Sequence, residues 1–124
     1  MEFNEINSNS INLITAYGEG YLEVNHKKTT ENILIYPEHT YLMSEIKTID
    51  DIDESILNKA IDFDPEIILF GFNATNHFLP RHQIKLLHKN QIAVECMNLM
   101  SACRTFNILL SEQRRVIFFA LTRL

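Results

Sequence analysis

The sequence predicts a single α/β domain in two parts, an antiparallel β-layer followed by a unit in which helices and strands alternate. In residues 11–28 successive side chains alternate between the two faces of a strand, both before and after the turn Gly18-Glu19-Gly20. This is the pattern of a β-hairpin. Residues 66–71 and 115–121 are nearly continuous apolar runs, typical of strands that are buried on both faces. A chain of 124 residues also fits one domain.

The elements that follow the hairpin come from shorter patterns. Residues 32–37 predict a strand, which we assign to the antiparallel layer. Residues 51–61 predict a helix with one apolar face, whose start carries Asp51 and Glu54 as a capping box. Pro80 opens a second helix that extends to residue 89.

The C-terminal third supplies a strand, a helix and a last strand. Residues 92–96 predict the first strand, and residues 101–113 predict a helix with an apolar face. The run at residues 115–121 must lie inside the sheet, because an exposed edge of that composition would aggregate. We therefore expect a domain over residues 12–124, preceded by a tail over residues 1–11 that is partly disordered.

Composition argues against several classes of function. The net charge is −5 and the pI is near 5.5, whereas binding to nucleic acid or to anionic lipid needs clustered basic residues. Cys96 and Cys103 form neither a zinc pair nor a C-x-x-C motif, so a reducing compartment is favoured. No targeting segment and no membrane span are evident. We expect a cytoplasmic protein without membrane insertion.

No metal or cofactor is expected. His82 and His88 lie six residues apart, so they do not form the i, i+4 pair that holds zinc on a helix. The acidic stretch at residues 50–54 lacks the glycine of a calcium-binding loop. No G-x-G-x-x-G turn follows either buried strand, which argues against a dinucleotide.

One signature carries a resemblance to a known family. It comprises residues 95–98 and the sequence Ala-Cys-Arg-Thr-Phe-Asn at residues 102–107, with further matches at residues 16–21 and 65–71. In these segments the chain resembles the family of mitochondrial complex I assembly factor 3, which includes the adipogenesis-associated domain protein and bacterial and archaeal domains of unknown function. The resemblance implies an antiparallel β-layer joined to a Rossmann-like unit with a central mixed sheet. It also implies a role in assembly through a protein partner.

A candidate site lies where the parallel strands end. In open α/β sheets a crevice forms beyond the carboxyl ends of the strands, which here means the loop 72–79 and the turn 97–101. The candidate crevice residues are Phe72, Asn73, Asn98, Cys103, Arg104 and Asn107. Phe72 and Phe78 are interpreted either as an exposed binding patch or as core residues.

Arg104 and Cys103 each allow two interpretations. Arg104 adds positive charge at the positive end of a helix, so it needs either Glu95 as a structural ion-pair partner or an anionic ligand. Cys103 is either a nucleophile with a lowered pKa or a buried packing residue. The packing interpretation is favoured, because no potential general base lies at a sequence spacing that would bring it next to Cys103.

Three functions remain open at this point. The first is a non-catalytic protein-interaction module, as the resemblance implies. The second is a small-molecule or anion binder, or an enzyme, with its crevice at Arg104 and Cys103. The third is a structural homo-oligomer, for which a homodimer is the simplest form. The first is favoured, because no complete catalytic constellation is present.

Overall fold

The computed structural model describes residues 11–74 and 79–124. Over these ranges the chain forms one mixed α/β domain with a three-stranded antiparallel sheet and a five-stranded mixed sheet. The predicted fold class is therefore confirmed. The tail predicted over residues 1–11 lies, apart from Ile11, outside the described residues.

The elements of the described ranges are named here in chain order. The strands are β1 (Ile14–Gly18), β2 (Tyr21–Val24), β3 (Lys27–Thr29), β4 (Ile33–Ile35), β5 (Thr40–Leu42), β6 (Ile67–Phe72), β7 (Ala93–Asn98) and β8 (Val116–Leu121). The helices are α1 (Glu54–Asp62), α2 (Arg81–Lys89) and α3 (Leu99–Ser111). The smaller sheet has the order β1-β2-β3, and the larger one has the order β5-β4-β8-β6-β7.

The predicted hairpin forms, and it gains a third strand. Gly18 pairs with Tyr21, so Glu19-Gly20 make the turn, and Gly20 adopts a φ of 76° that favours glycine. Asn25 and His26, with φ values of 51° and 70°, turn the chain again into β3. The antiparallel layer is thus a three-stranded sheet built from residues 14–29.

The strand at β4 belongs to the other sheet, which corrects our assignment. β4 pairs antiparallel with β8, with Ile33 opposite Ala120, and β5 pairs with the other side of β4. Every residue of β4 is buried. A strand that is buried on both faces belongs inside a covered sheet rather than in a layer with one exposed face.

The last strand lies inside the sheet, as predicted. β8 is paired on one side with β4 and on the other with β6, and all of its residues are buried. Phe70 and Phe119 stack with ring centroids 4.8 Å apart on the face that α1 and α2 cover. The opposite face packs against α3 and the three-stranded sheet. The five-stranded sheet is therefore the middle layer between two apolar cores.

The helix ends differ in detail from the sequence pattern. α1 begins after Asp53, whose side chain accepts a hydrogen bond from the backbone N–H of Ile56 at 3.0 Å. Asp51 instead accepts bonds from the N–H groups of Lys47 and Thr48 before a short 3₁₀ turn, and these bonds lower its pKa. The capping box predicted for Asp51 and Glu54 therefore belongs one turn earlier in the chain.

α3 packs closely on β6 because Gly71 has no side chain. A Cβ atom at Gly71 would lie 2.8 Å from the Cβ of Ala102 and 3.3 Å from the Cα of Leu99. Contacts that short would force α3 away from the sheet. Gly71 thus sets the distance between β6 and the N-terminal end of α3.

We expect Gly71→Ala to lower the free energy of unfolding by about 1–3 kcal/mol, the usual cost of overpacking a core. Urea denaturation measures this. The double variant with Ala102→Gly supplies the control, since it removes the nearest atom. A double variant whose loss equals the sum of the two single losses would contradict this explanation.

Candidate functional site

Part of the predicted crevice forms at the carboxyl ends of β6 and β7. The Asn98 side chain caps α3 by accepting a hydrogen bond from the N–H of Ser101 at 2.8 Å. The Asn73 side chain accepts one from the N–H of Gly20 at 3.0 Å, so the hairpin turn reaches this edge. The residues around the resulting depression of about 130 Å³ are Gly18, Glu19, Phe72, Asn73, Asn98, Leu99 and Met100. Phe72, Asn73 and Asn98 are thus brought together.

This depression is a poor ligand site. Its volume of about 130 Å³ is below the roughly 300–1,000 Å³ of ordinary small-molecule sites. The amide oxygens of Asn73 and Asn98 already accept backbone hydrogen bonds. Phe72 is buried and belongs to the core, whereas Phe78 lies outside the described residues.

Asn107 does not line the crevice, because its side chain is bonded to β1. The amide oxygen of Asn107 accepts from the N–H of Ile14 at 2.9 Å, and its NH₂ group donates to the C=O of Ile14 at 2.9 Å. One side chain therefore satisfies both backbone groups of a residue 93 positions away in the chain. The prediction of Asn107 as a binding residue is corrected to a structural role.

Asn107→Ala should lower the free energy of unfolding by about 1–3 kcal/mol, since it leaves two part-buried backbone groups without their partner. Amide hydrogen exchange at Ile14 should accelerate more than exchange at β8, which can be followed by NMR. Asn107→Asp is the matched comparison, because its carboxylate keeps the acceptor for the N–H of Ile14 and sets a second oxygen against the C=O that the amide bonded. We expect its loss relative to wild type to shrink at low pH, where the protonated carboxyl can donate again, and a loss that does not change with pH would contradict the two-bond interpretation.

Cys103 lies in the core rather than in the crevice. Its side chain is 0% exposed and packs in the cluster that α3 forms with the three-stranded sheet and the middle layer. Burial raises the pKa of the Cys103 thiol to about 12, although the charge of Arg104 acts in the opposite direction. A buried neutral thiol is not a nucleophile, so the packing interpretation agrees with the structure.

Cys103 should resist alkylation in the folded protein at about pH 8, where the half-buried Cys96 serves as the internal comparison. Its neutral thiol stabilises the fold below its reference pKa of 9.0, and that contribution is lost as the pH rises toward the folded pKa of about 12. As the pH rises over that interval, the free energy of unfolding should therefore fall less for Cys103→Ala than for wild type. Mass spectrometry after iodoacetamide treatment measures the alkylation. Urea titrations over the same pH interval measure the stability. Faster labelling of Cys103 than of a free thiol would contradict them.

Arg104 does not form the predicted ion pair with Glu95. It donates to the hydroxyls of Tyr17 at 3.3 Å and Ser101 at 3.2 Å, and its guanidinium carbon lies 5.8 Å from the centroid of the Tyr17 ring. Thr105 is the neighbour that contacts β7, with its hydroxyl 3.5 Å from the sulfur of Met97. Arg104 therefore turns toward β1, away from the strand that carries Glu95. Its exposure removes the need for a countercharge.

A larger opening, the edge groove, lies between β5 and α1. Its volume is about 580 Å³. The residues that line it are Leu34, Tyr36, His39, Tyr41, Leu42, Met43, Glu45, Ile56, Lys59, Asp62 and Phe63. The edge groove is thus mainly apolar, with both signs of charge at its margin.

Aromatic rings shape the edge groove. The ring of Tyr36 meets Phe63 edge-on at 4.7 Å and Tyr41 at 5.6 Å between centroids. Burial, and then the proximity of Tyr41 and Asp62, raises the pKa of Tyr36. Tyr41 is 54% exposed and Phe63 is 40% exposed, while Leu42 is 60% exposed. Large apolar side chains therefore face solvent beside the buried ring of Tyr36.

Sequence reasoning missed the edge groove. Its residues come from β4, β5, α1 and the segments next to them, and no single stretch carries a motif. The one signal was the short run of Thr40, Tyr41 and Leu42 after Pro37, which has the composition of a strand.

A second opening, the lysine pocket, lies on the other side of β5. Its volume is about 260 Å³. The residues around it are Asn12, Val24, Lys27, Lys28, Thr29, Ile33, Thr40 and Leu42. Leu42 borders both the lysine pocket and the edge groove.

The described residues hold neither a metal cluster nor a membrane-spanning helix. His, Cys, Asp and Glu side chains in residues 11–74 and 79–124 form no cluster that could hold a metal ion. None of the helices in these ranges has the length and apolar character needed to cross a membrane.

Comparison with known proteins gives a family match without an activity. The model of a family described as protein of unknown function (DUF498/DUF598) matches residues 14–121. A crystal structure of a protein from Bordetella parapertussis is 34% identical, with a TM-score of 0.77, covering 90% of this chain and 95% of that one. A Mth938-like domain from Bordetella pertussis is 28% identical, with a TM-score of 0.73, covering 90% and 86%.

One further structure carries a different description. A protein from Bartonella henselae described as an outer membrane protein is 29% identical, with a TM-score of 0.70, and the match covers 90% of this chain and 96% of that one. The search of curated proteins finds no match.

Proposed function

Because this chain belongs to the DUF498/DUF598 family of proteins of unknown function, we propose its role from the geometry of its surface: a non-catalytic protein-interaction module. The edge groove is the observation that carries the proposal. Apolar side chains that are exposed together beside a concavity are typical of protein interfaces, and aromatic residues are enriched at interface centres.

The exposed residues of the edge groove suit a hot spot. Tyr41 and Phe63 keep half or nearly half of their surface in solvent while resting against the buried ring of Tyr36. Such rings are already ordered, so a partner that covers them gains apolar contact at a small cost in side-chain entropy.

The candidate crevice supports a catalytic function less well. Cys103 is buried, Asn107 is bonded to Ile14, and Arg104 is bonded to two hydroxyls. These are the residues that an anion-binding or enzymatic function would use. The resemblance to complex I assembly factor 3 supports a role in which the chain holds a protein partner of unknown identity. Free Cys96 and Cys103 favour a reducing compartment for that role, such as the cytoplasm.

Leu42→Lys tests this function, because Leu42 is exposed and borders the edge groove, where the variant places a charge. Ile108→Lys is the matched control, since Ile108 is 56% exposed against 60% for Leu42 and lies on α3, away from the edge groove. In quantitative affinity capture from native lysate, we expect a partner retained by wild type and Ile108→Lys to be depleted at least about tenfold by Leu42→Lys. Equal depletion by both variants, or by neither, would contradict the proposed surface.

A further inference from the structure

Asn12 holds the beginning of the described chain against the turn between β4 and β5. Its backbone N–H donates to the C=O of Pro37 at 2.7 Å. Its side-chain NH₂ group donates to the C=O of Tyr36 at 2.9 Å and to the C=O of His39 at 3.2 Å. These bonds fix the place at which the preceding segment of the chain leaves the domain.

That place is next to the edge groove. Tyr36 and His39, whose C=O groups hold Asn12, both line the edge groove. Ile11, the residue before Asn12, is 47% exposed, so the chain leaves the domain at its surface. Residues 1–10 are therefore tethered beside the edge groove rather than at a distant part of the domain.

The segment of residues 1–10 is long enough to cover the edge groove. Phe3 lies nine positions before Asn12, and an extended chain of that length reaches about 30 Å. The two elements that border the groove are shorter, because β5 has three residues and spans about 10 Å, and α1 has nine and spans about 13 Å. The tether thus lets Phe3 reach the groove between these elements.

The same segment carries apolar side chains that suit the edge groove. Met1, Phe3 and Ile6 are apolar, whereas the other seven of residues 1–10 are polar or acidic. The groove is mainly apolar, and Tyr41 and Phe63 are 54% and 40% exposed beside it. Apolar side chains that cover these rings remove both surfaces from water, which is favourable.

The tether also selects this segment over a separate chain. The margin of the edge groove carries both signs of charge, so charge does not decide between occupants. A short linker keeps a tethered group at an effective concentration in the range of about 1 mM. A separate chain that makes the same contacts must reach that concentration to compete.

We propose that residues 1–10 fold back over β5 and cover the edge groove of the same molecule, with Phe3 and Ile6 in contact with Tyr41 and Phe63. A partner protein then gains the groove by displacing this segment. The inference rests on the proposed function, because it names what regulates access to the same surface.

Phe3→Ala tests the contact in the ¹⁵N-labelled full chain, and Asn4→Ala is the matched control from the same segment. An aromatic ring shifts the resonances of amides near it, so Phe3→Ala should move those of Tyr41 and Phe63. Asn4→Ala should leave both in place. Equal effects of the two variants, or shifts confined to the neighbours of residue 3, would overturn the inference.

A synthetic peptide of residues 1–10 measures the same contact between separate molecules. Its target is the full chain with Phe3→Ala and Ile6→Ala, the uncovering variant. We expect a Kd of about 0.1 mM or tighter, because a groove that is covered in nine-tenths of the molecules requires a tenfold margin below the effective concentration. Wild type should bind the peptide at least about tenfold more weakly, because its own segment occupies the groove.

The control peptide carries alanine at positions 3 and 6 and should bind neither chain. Equal binding of the unmodified peptide to wild type and to the uncovering variant would overturn the inference. The absence of binding to the uncovering variant would do the same.

Sedimentation of the full chain shows whether the segment covers its own molecule or a second copy. We expect wild type to be a monomer. A wild-type dimer that the uncovering variant dissociates would place the segment on the neighbouring copy and would overturn the inference.

Capture from lysate separates this inference from the proposed function. The uncovering variant should retain severalfold more of any protein that Leu42→Lys loses, and equal retention by wild type would overturn the inference. If Leu42→Lys loses a captured protein while the amide and peptide results are negative, the interaction function stands and only the covering segment fails. If the segment contacts the groove but Leu42→Lys loses no captured protein, the covering segment stands and the interaction function fails.

Discussion

The double hydrogen bond between Asn107 and Ile14 ties the three-stranded sheet to α3, and bonds from Asn12 to Tyr36, Pro37 and His39 tie it to the larger sheet. Each sheet forms its own ladder, and α3 packs against both. Packing alone would let the small sheet slide over α3, because apolar contact has no preferred direction. The paired bonds at 2.9 Å set the position of β1 along the helix. Arg104 adds a weaker contact of the same kind through the hydroxyl of Tyr17.

This arrangement decides which part of the middle layer is left open. Gly71 lets α3 approach β6 closely, so α3 covers the part of the sheet made by β6, β7 and β8. The other end of the sheet, at β5, is bordered by the three-stranded sheet on one face and by α1 on the other. Neither neighbour covers it completely. The edge groove and the lysine pocket lie there, one on each side of the same strand.

The parts of the fold that could be predicted are those in which a short stretch of sequence carries a clear hydrophobic or turn pattern. The continuous apolar runs at β6 and β8 required burial on both faces, and the hairpin had both alternation and a glycine turn. The placement of β4 could not be predicted, because a three-residue strand has the same appearance in either sheet. Its partner is β8, which lies more than 80 residues later, and only three-dimensional packing selects that pairing.

The candidate site could be located only in part from sequence, for a similar reason. Strand ends and helix starts can be located from sequence, so Phe72, Asn73 and Asn98 were expected near one another, and they border one depression. The roles of Cys103, Arg104 and Asn107 depend on which side of α3 each residue occupies relative to β1, and the position of β1 is a tertiary property. The Ala-Cys-Arg-Thr-Phe-Asn signature therefore holds the two layers together, with Cys103 in the core and Asn107 on β1.

The aromatic lining of the edge groove gives this protein a built-in optical reporter. The sequence has four tyrosines and no tryptophan, so tyrosine dominates its ultraviolet emission. Tyr36 and Tyr41 both line the edge groove, with their rings 5.6 Å apart. Tyrosine emission responds to the removal of water and to new hydrogen bonds at the phenol. Anything that fills the edge groove should change that emission, so occupancy can be followed in the unlabelled protein when the partner itself lacks tyrosine and tryptophan.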